Sequence, residues 1–206
     1  MRTPVTLLAS GTAIVLALTA CGSDGDAPAT PSPSTSSQAD AWLPPVPETA
    51  DETGNCPMVA APGDAEPEWT LTGATGSVAV TGPTDQAGPA IDIQAPFSVT
   101  ETQVETLQPG DGPVIADTAT VMVCYTGVNG RDGSVFDSTY EVGTPVDFPL
   151  DGVIAGFRKA IAGQQVGSSV AVAMAPEDGY PQGQPAAGIQ PGDTLVFAIR
   201  ILAASS

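Results

Sequence analysis

The sequence predicts an α+β protein, a mainly antiparallel sheet with one short helix late in the chain. Alternating apolar residues predict strands, in which successive side chains point to opposite faces, at residues 119–128, 166–176 and 193–203. Ile154, Phe157 and Ile161 recur at helical spacing, and Gly163 is a typical residue at a helix C-terminus. The 23 glycines and 21 prolines favour strands joined by turns over a helical bundle.

The composition excludes several classes of function. The net charge is −18, which disfavours nucleic acid and anionic lipid surfaces as charge-driven partners. The chain has no histidine, so imidazole-based catalytic triads are excluded, and the commonest metal ligand is missing. The three cysteines form no CxxC pair, which argues against a zinc site. We therefore predict neither a metal site nor a cofactor.

The N-terminus has the pattern of an export signal. Arg2 precedes an apolar run that ends at Ala20, and residues 18–21 read "LTAC", which resembles the lipobox of bacterial lipoproteins. The resemblance implies a signal peptide at residues 1–20, lipidation of Cys21 and a domain anchored to the cell membrane outside the cytoplasm. The alternative is an ordinary secretory signal that happens to end near a cysteine.

Three further segments follow the signal. Residues 21–53 are rich in Pro, Ser and Thr and lack apolar periodicity, which predicts a flexible tether. Residues 54–96 contain two or three short alternating segments and too little apolar sequence for a separate core. We expect them to pack on the main domain, residues 97–206, with a loosely ordered segment as the alternative. Trp69 is interpreted as an anchor of that packing, with contact to another protein as the alternative.

The main domain contains an ordered set of motifs. "QVETLQPGDGP", "YTG", "DGSVFDSTY", "FPL", "VIAGF", "GY" and "TLVFAIRIL" occur in this order within the second half of the chain. Together they resemble the FKBP-type peptidyl-prolyl cis-trans isomerases. The resemblance implies a five- or six-stranded antiparallel sheet wrapped around one short helix, with an apolar hollow between them for a substrate proline. It also implies proline-containing exported polypeptides as substrates.

The resemblance assigns roles to individual residues. The positions implied to be catalytic are Tyr125, Asp137, Ile154 (through its backbone N–H) and Tyr180. The positions implied to bind substrate are Phe136, Val146, Phe148, Val153, Phe157, Ile189 and Phe197. Without the resemblance, Tyr125 reads as an ordinary strand aromatic, Asp137 as a turn-forming acid and Phe157 as a core residue.

Two positions depart from the family pattern. Phe157 stands where many members have tryptophan, and Val146 stands where an aromatic residue is common. We expect a larger, less tightly fitted hollow, lower activity and weaker binding of macrolide inhibitors such as rapamycin. These departures favour the alternative function, a non-catalytic, lipid-anchored module that binds or chaperones a partner.

The last expectation concerns the two other cysteines. Tyr125 is implied to face the hollow, so strand alternation turns Cys124 to the opposite face of the sheet. Cys56 opens the extension, and thiols of exported proteins tend to be bridged. We predict a Cys56–Cys124 disulfide that fastens the extension to the outer face, with two buried free thiols as the alternative.

Overall fold

The computed structural model describes residues 54–205. The predicted signal peptide at residues 1–20, the lipidated Cys21 and the tether at residues 21–53 lie outside the described residues. No helix within residues 54–205 is long and apolar enough to cross a membrane.

The described part of the chain contains nine strands and one α-helix. In chain order they are β1 (Trp69–Thr72), β2 (Thr75–Thr81), β3 (Ala90–Ser98), β4 (Gln103–Gln108), β5 (Thr120–Asn129), β6 (Val135–Ser138), β7 (Val146–Pro149), α1 (Ala155–Ile161), β8 (Ser169–Met174) and β9 (Leu195–Ser205). Two short 3₁₀ turns, Pro176–Asp178 and Pro185–Ala187, lie between β8 and β9.

Strands β4 to β9 form one antiparallel, six-stranded sheet. Its order is β4-β8-β9-β5-β6. Strand β7 shares the same edge of β5 with β6: β7 pairs with the first half of β5 and β6 with the second half. The helix packs on one face of this sheet, which we call the inner face. The predicted fold class, an antiparallel sheet with one helix, is confirmed.

Strand alternation separates the two faces of the sheet. In β8, Val170, Val172 and Met174 pack in the inner core with the helix residues Phe157 and Ile161. Ala171 and Ala173, the residues between them, belong to a second core on the opposite face, which we call the outer face.

The extension forms a separate three-stranded antiparallel sheet of order β1-β2-β3. Val78, Val80 and Phe97 pack against the alanines of the outer face, and Trp69 lies half-buried beside them. Strand β3 continues to Ser98, so the secondary structure crosses the boundary that the sequence placed between residues 96 and 97.

A disulfide joins the extension to the large sheet. Cys56 and Cys124 are bridged with a Cα–Cα distance of 5.6 Å, and both are buried. Tyr140 packs beside them in a small cluster with Leu202. Because Cys124 belongs to this outer cluster and Tyr125 to the inner core, the predicted opposite orientation of these two neighbours is confirmed.

Candidate active site

An apolar hollow of about 480 Å³ opens between the helix and the inner face of the sheet. Its walls come from strands β5, β6, β7 and β9, the start of α1 and the loop after β8. The lining residues are Tyr125, Phe136, Asp137, Phe148, Gly152, Val153, Ile154, Phe157, Tyr180 and Phe197. All four residues predicted to be catalytic are in this set, with five of the seven predicted to bind substrate.

Aromatic rings form the floor of the hollow around Phe157. Its ring meets those of Tyr125, Phe148 and Phe197 edge to face, with centroids 5.6 to 5.8 Å apart. Edge-to-face pairs at this spacing are favourable because the positive edge of one ring meets the negative face of another. Phe157 is therefore both a core residue and the base of the site, as its helical spacing and the resemblance separately suggested.

A short hydrogen bond crosses one wall. The Tyr125 hydroxyl donates to Asp137 Oδ2 at 2.5 Å. Burial, together with the carboxylate of Asp137, raises the pKa of Tyr125 above its ordinary value of 10.0. The phenol therefore remains protonated at physiological pH and fixes the orientation of the carboxylate at the edge of the hollow.

Two donors at the hollow have no hydrogen-bond acceptor among residues 54–205. In the described residues, neither the Ile154 N–H nor the Tyr180 hydroxyl donates a hydrogen bond to another group. Ile154 is the N-cap of α1, where its carbonyl accepts from the N–H groups of Phe157 and Arg158. Because the first N–H groups of a helix lack intrahelical acceptors, this position leaves a fixed donor available to a bound carbonyl.

Two residues predicted to bind substrate do not line the hollow. Val146 is half-buried against the inner core, opposite Val123 in the β5–β7 ladder. Ile189 is 2% exposed and buried within the same core. Both predictions rested on the resemblance alone, and in this structure the two side chains pack in the inner core.

Two glycines that the sequence analysis did not single out shape the site. A Cβ at Gly127 would lie 2.7 Å from Phe136 and 2.8 Å from Phe197, so only glycine lets both rings lie over strand β5. Gly152 lines the hollow between β7 and α1. Gly127 is the last residue of the "YTG" motif, so its place in that motif could have indicated a role in the site.

This arrangement suits a neutral ligand with an apolar ring and exposed amide groups. The hollow presents aromatic and aliphatic surfaces, one carboxylate and two unpaired donors, and its lining contains neither a cation nor a nucleophile such as a thiol. It can hold a ring away from water and bind carbonyl groups beside it.

Comparisons with known proteins agree with this geometry. Residues 112–202 match the family model of the FKBP-type peptidyl-prolyl cis-trans isomerases. A probable FKBP-type isomerase of Haemophilus influenzae is 41% identical over 93 residues, 45% of this chain and 38% of that protein. The chain therefore spans less than half the length of that relative.

Two shorter relatives are matched over most of their length. A probable FK506-binding protein of Corynebacterium glutamicum is 36% identical over 96 residues, which are 46% of this chain and 80% of that protein. An FK506-binding protein of Streptomyces anulatus is 30% identical over 118 residues, which are 56% of this chain and 95% of that protein.

Proposed function

Because this chain belongs to the FKBP-type peptidyl-prolyl cis-trans isomerase family, we propose that it catalyses rotation about X-Pro bonds of exported polypeptides. The observation that supports this most directly is the aromatic hollow, whose lining includes all four positions implied to be catalytic. The proline ring of the substrate lies over Phe157, and the reacting amide lies at the mouth.

The physical task is to favour a twisted amide. Resonance gives the peptide C–N bond double-bond character, so rotation meets a barrier of about 18–20 kcal/mol. The twisted amide has lost this resonance and is less dipolar. An apolar, water-poor site therefore raises the free energy of the planar amide more than that of the twisted amide. Each tenfold increase in rate requires about 1.4 kcal/mol of preferential binding to the twisted form. No acid, base or metal is required.

The polar groups at the mouth orient the peptide. The Ile154 N–H and the Tyr180 hydroxyl donate to substrate carbonyls, which holds the chain on either side of the proline still while the amide turns. Asp137, held by Tyr125, lies at the wall where the reacting carbonyl rotates. Its role is electrostatic, since a fixed charge near the amide changes the relative energies of the planar and twisted forms.

The proposed place of action is outside the cytoplasmic membrane. The "LTAC" sequence at residues 18–21 supports lipidation of Cys21, and the Cys56–Cys124 bridge is consistent with an oxidising compartment. The substrates are then exported proteins that fold near the membrane surface. Stable anchoring needs more than one acyl chain, so we expect two or three on the modified Cys21.

Fractionation of cells tests the anchor. The Cys21→Ser variant should leave the membrane fraction or remain unprocessed, because the lipid-bearing thiol is lost. Mass spectrometry of the wild-type N-terminus should show cleavage before Cys21 and an added lipid. A fully processed Cys21→Ser protein that stays in the membrane fraction would contradict the proposal.

A protease-coupled isomerisation assay on the full-length protein tests the catalysis. The wild type should accelerate isomerisation of X-Pro peptides above the uncatalysed rate. Tyr180→Phe, which removes one donor, should lower kcat/KM by about threefold. Asp137→Ala, which removes the fixed charge, should lower it by about tenfold.

The same assay decides between the two candidate functions. A folded wild-type protein with no rate above background would eliminate the enzyme and leave the non-catalytic binding module. Inhibition by a macrolide of the FK506 class provides a second, independent measurement of ligand binding in the hollow. We expect it to be weak, because Phe157 and Val146 leave the hollow wider than a tryptophan and an aromatic residue would.

A further inference from the structure

The turn Thr139–Gly143 directly follows strand β6, which carries the cavity residues Phe136 and Asp137. Its first residue, Thr139, is 4% exposed and forms hydrogen bonds with both the N–H and the carbonyl of Tyr125. The Tyr125 N–H donates to Thr139 Oγ1 at 2.8 Å, and the Thr139 N–H donates to the Tyr125 carbonyl at 3.0 Å. The turn thus fixes the part of β5 from which the Tyr125 side chain enters the hollow.

The extension holds the other end of the same turn. The Cys56 N–H donates to the Gly143 carbonyl at 3.2 Å, and the Gly143 N–H donates to the Thr139 carbonyl at 2.9 Å. A Cβ on Gly143 would lie 3.2 Å from the Met58 side chain, so the two segments are in close contact. A continuous series of hydrogen bonds therefore leads from Cys56 to the backbone of Tyr125.

The ring of Tyr140 is enclosed between the extension and the sheet. Tyr140 is 7% exposed and packs on the disulfide, while a Cβ on Gly88 would lie 3.0 Å from its ring. The Gly88 N–H donates to the Val59 carbonyl at 2.7 Å, which closes the extension over the ring. The second residue of the turn is thus held by extension residues on one side and by the bridge on the other.

The bridge adds a covalent constraint at the neighbouring residue. Cys124 immediately precedes Tyr125 in β5 and is bonded to Cys56. Cys56 therefore constrains Tyr125 by two routes, the disulfide on the outer face and the hydrogen bonds through Gly143 and Thr139.

We propose that the segment Cys56–Val59 positions the wall of the active site, with Thr139 as the positioning residue that transmits its constraint to Tyr125 and Asp137. This inference rests on the proposed isomerase function. It extends the functional unit beyond residues 112–202, the span of the family match, because Cys56 lies more than fifty residues before that span. The extension is then part of the enzyme's working structure in addition to covering the outer face.

Substitutions of Thr139 in the full-length protein test the last step. Thr139→Val keeps the shape of the side chain but leaves the Tyr125 N–H without its acceptor, whereas Thr139→Ser keeps the hydroxyl. We expect Thr139→Val to lower kcat/KM by about tenfold, mainly through kcat, and Thr139→Ser to retain most of the wild-type value. If Thr139 had a purely structural role, both variants would have a lower melting temperature and their kcat values would not differ.

Removal of the bridge tests the first step, with a matched control. Cys56→Ser/Cys124→Ser should lower kcat/KM by about fivefold to tenfold at a temperature where the variant remains folded. The control, Val80→Ala, destabilises the same extension within the outer core but lies away from the turn. It should lower the melting temperature and leave kcat/KM unchanged.

Fluorine NMR gives a reading that does not depend on activity. The chain has five phenylalanines, of which four line the hollow and Phe97 lies in the outer core. In fluorophenylalanine-labelled protein, Thr139→Val and Cys56→Ser/Cys124→Ser should shift or broaden the Phe136 signal and leave that of Phe97 unchanged. The Val80→Ala variant should leave the Phe136 signal unchanged.

The outcomes separate this inference from the proposed function. An inactive wild type refutes the isomerase, and the Phe136 signal still reports whether the extension positions the wall. Unchanged kcat/KM and an unchanged Phe136 signal in Cys56→Ser/Cys124→Ser or in Thr139→Val would overturn the positioning role. An equal loss of kcat/KM in Val80→Ala would also overturn it, because any destabilisation of the extension would then suffice.

Discussion

The inner and outer faces of the six-stranded sheet differ in the size of the side chains that they present. Strand β8 contributes Val170, Val172 and Met174 to the inner face and only Ala171 and Ala173 to the outer one. The inner face also carries one aromatic ring from each of β5, β7 and β9. These rings meet the ring of Phe157 in the helix edge to face and line a hollow of about 480 Å³.

The outer face is covered by a second sheet. Its alanines allow Val78, Val80 and Phe97 of the three-stranded sheet to pack directly on the strands, and these three side chains are at most 2% exposed. Small residues permit close sheet-on-sheet packing, whereas large rings on the other face leave space that a ligand can enter. The small residues of β8 thus help to close the outer face, whereas the rings of β5, β6, β7 and β9 line the hollow on the inner face.

Among changes at the outer face, loss of the disulfide should lower the stability of the protein most. The Cys56–Cys124 bridge closes a loop with a sequence separation of 68 residues. In the chain-entropy model such a loop corresponds to about 4 kcal/mol of stabilisation. We expect the free energy of unfolding of Cys56→Ser/Cys124→Ser in urea to fall by about this amount. A fall below about 1 kcal/mol would mean that packing alone holds the extension.

Replacing an alanine of the outer face by a larger residue should cause the next largest loss of stability. Ala173→Leu places a branched side chain where β8 meets the second sheet, and overpacking of this kind costs about 1–3 kcal/mol. Ala79→Leu is the matched control, because Ala79 lies in β2 between the buried Val78 and Val80 and points away from them. Urea unfolding should show a clear loss for Ala173→Leu and little for Ala79→Leu. Equal losses would mean that the outer core is not closely packed.

Enlargement of the inner face should be tolerated and should favour activity. Phe157→Trp adds surface at the floor of the hollow, where space is available, so the stability should change by less than about 1 kcal/mol. Closer contact with the proline ring should raise kcat/KM by about twofold, with a lower KM. A destabilisation equal to that of Ala173→Leu would remove the proposed difference between the two faces.

Much of this architecture was predictable because alternation and motif order are local properties of the sequence. The resemblance implied that Tyr125 faces inward, and the pattern "VMVCYTG" then turned Cys124 outward, since neighbouring strand residues face opposite sides. The family motifs then identified most of the cavity residues.

The remaining features depend on contacts that no local pattern contains. Val146 was assigned to the wall, but its short side chain packs in the core and does not reach the hollow. Ile189 was assigned from the resemblance alone and is buried in the inner core. The role of Thr139 depends on a turn held by Cys56 from the far end of the extension, so no short motif reveals it.

The smallest predicted effect concerns an ion pair that links the helix to the loop leading to Tyr180. Lys159 Nζ and Thr102 Oγ1 each donate to Asp178 Oδ2 at 2.6 Å, and the bond from Lys159 is the main reason that the pKa of Asp178 lies below its ordinary value. A carboxyl with a lowered folded-state pKa stabilises the protein above its unfolded-state pKa, and this stabilisation is lost as the pH falls through the folded-state value. The Lys159 side chain is 56% exposed, so solvent limits the contribution to at most about 1 kcal/mol.

Unfolding free energies measured between about pH 2 and pH 6 should detect this contribution, since that window spans the ordinary and lowered pKa of an aspartate. Asp178→Asn keeps an acceptor for Thr102 but lacks the charge, so its stability should fall less steeply with acidification than that of the wild type. Glu105→Gln, at an exposed position of β4, is the control and should follow the wild-type curve. If Asp178→Asn also follows it, the pair orders the loop before Tyr180 without stabilising the fold, and its effect should then appear only in kcat/KM.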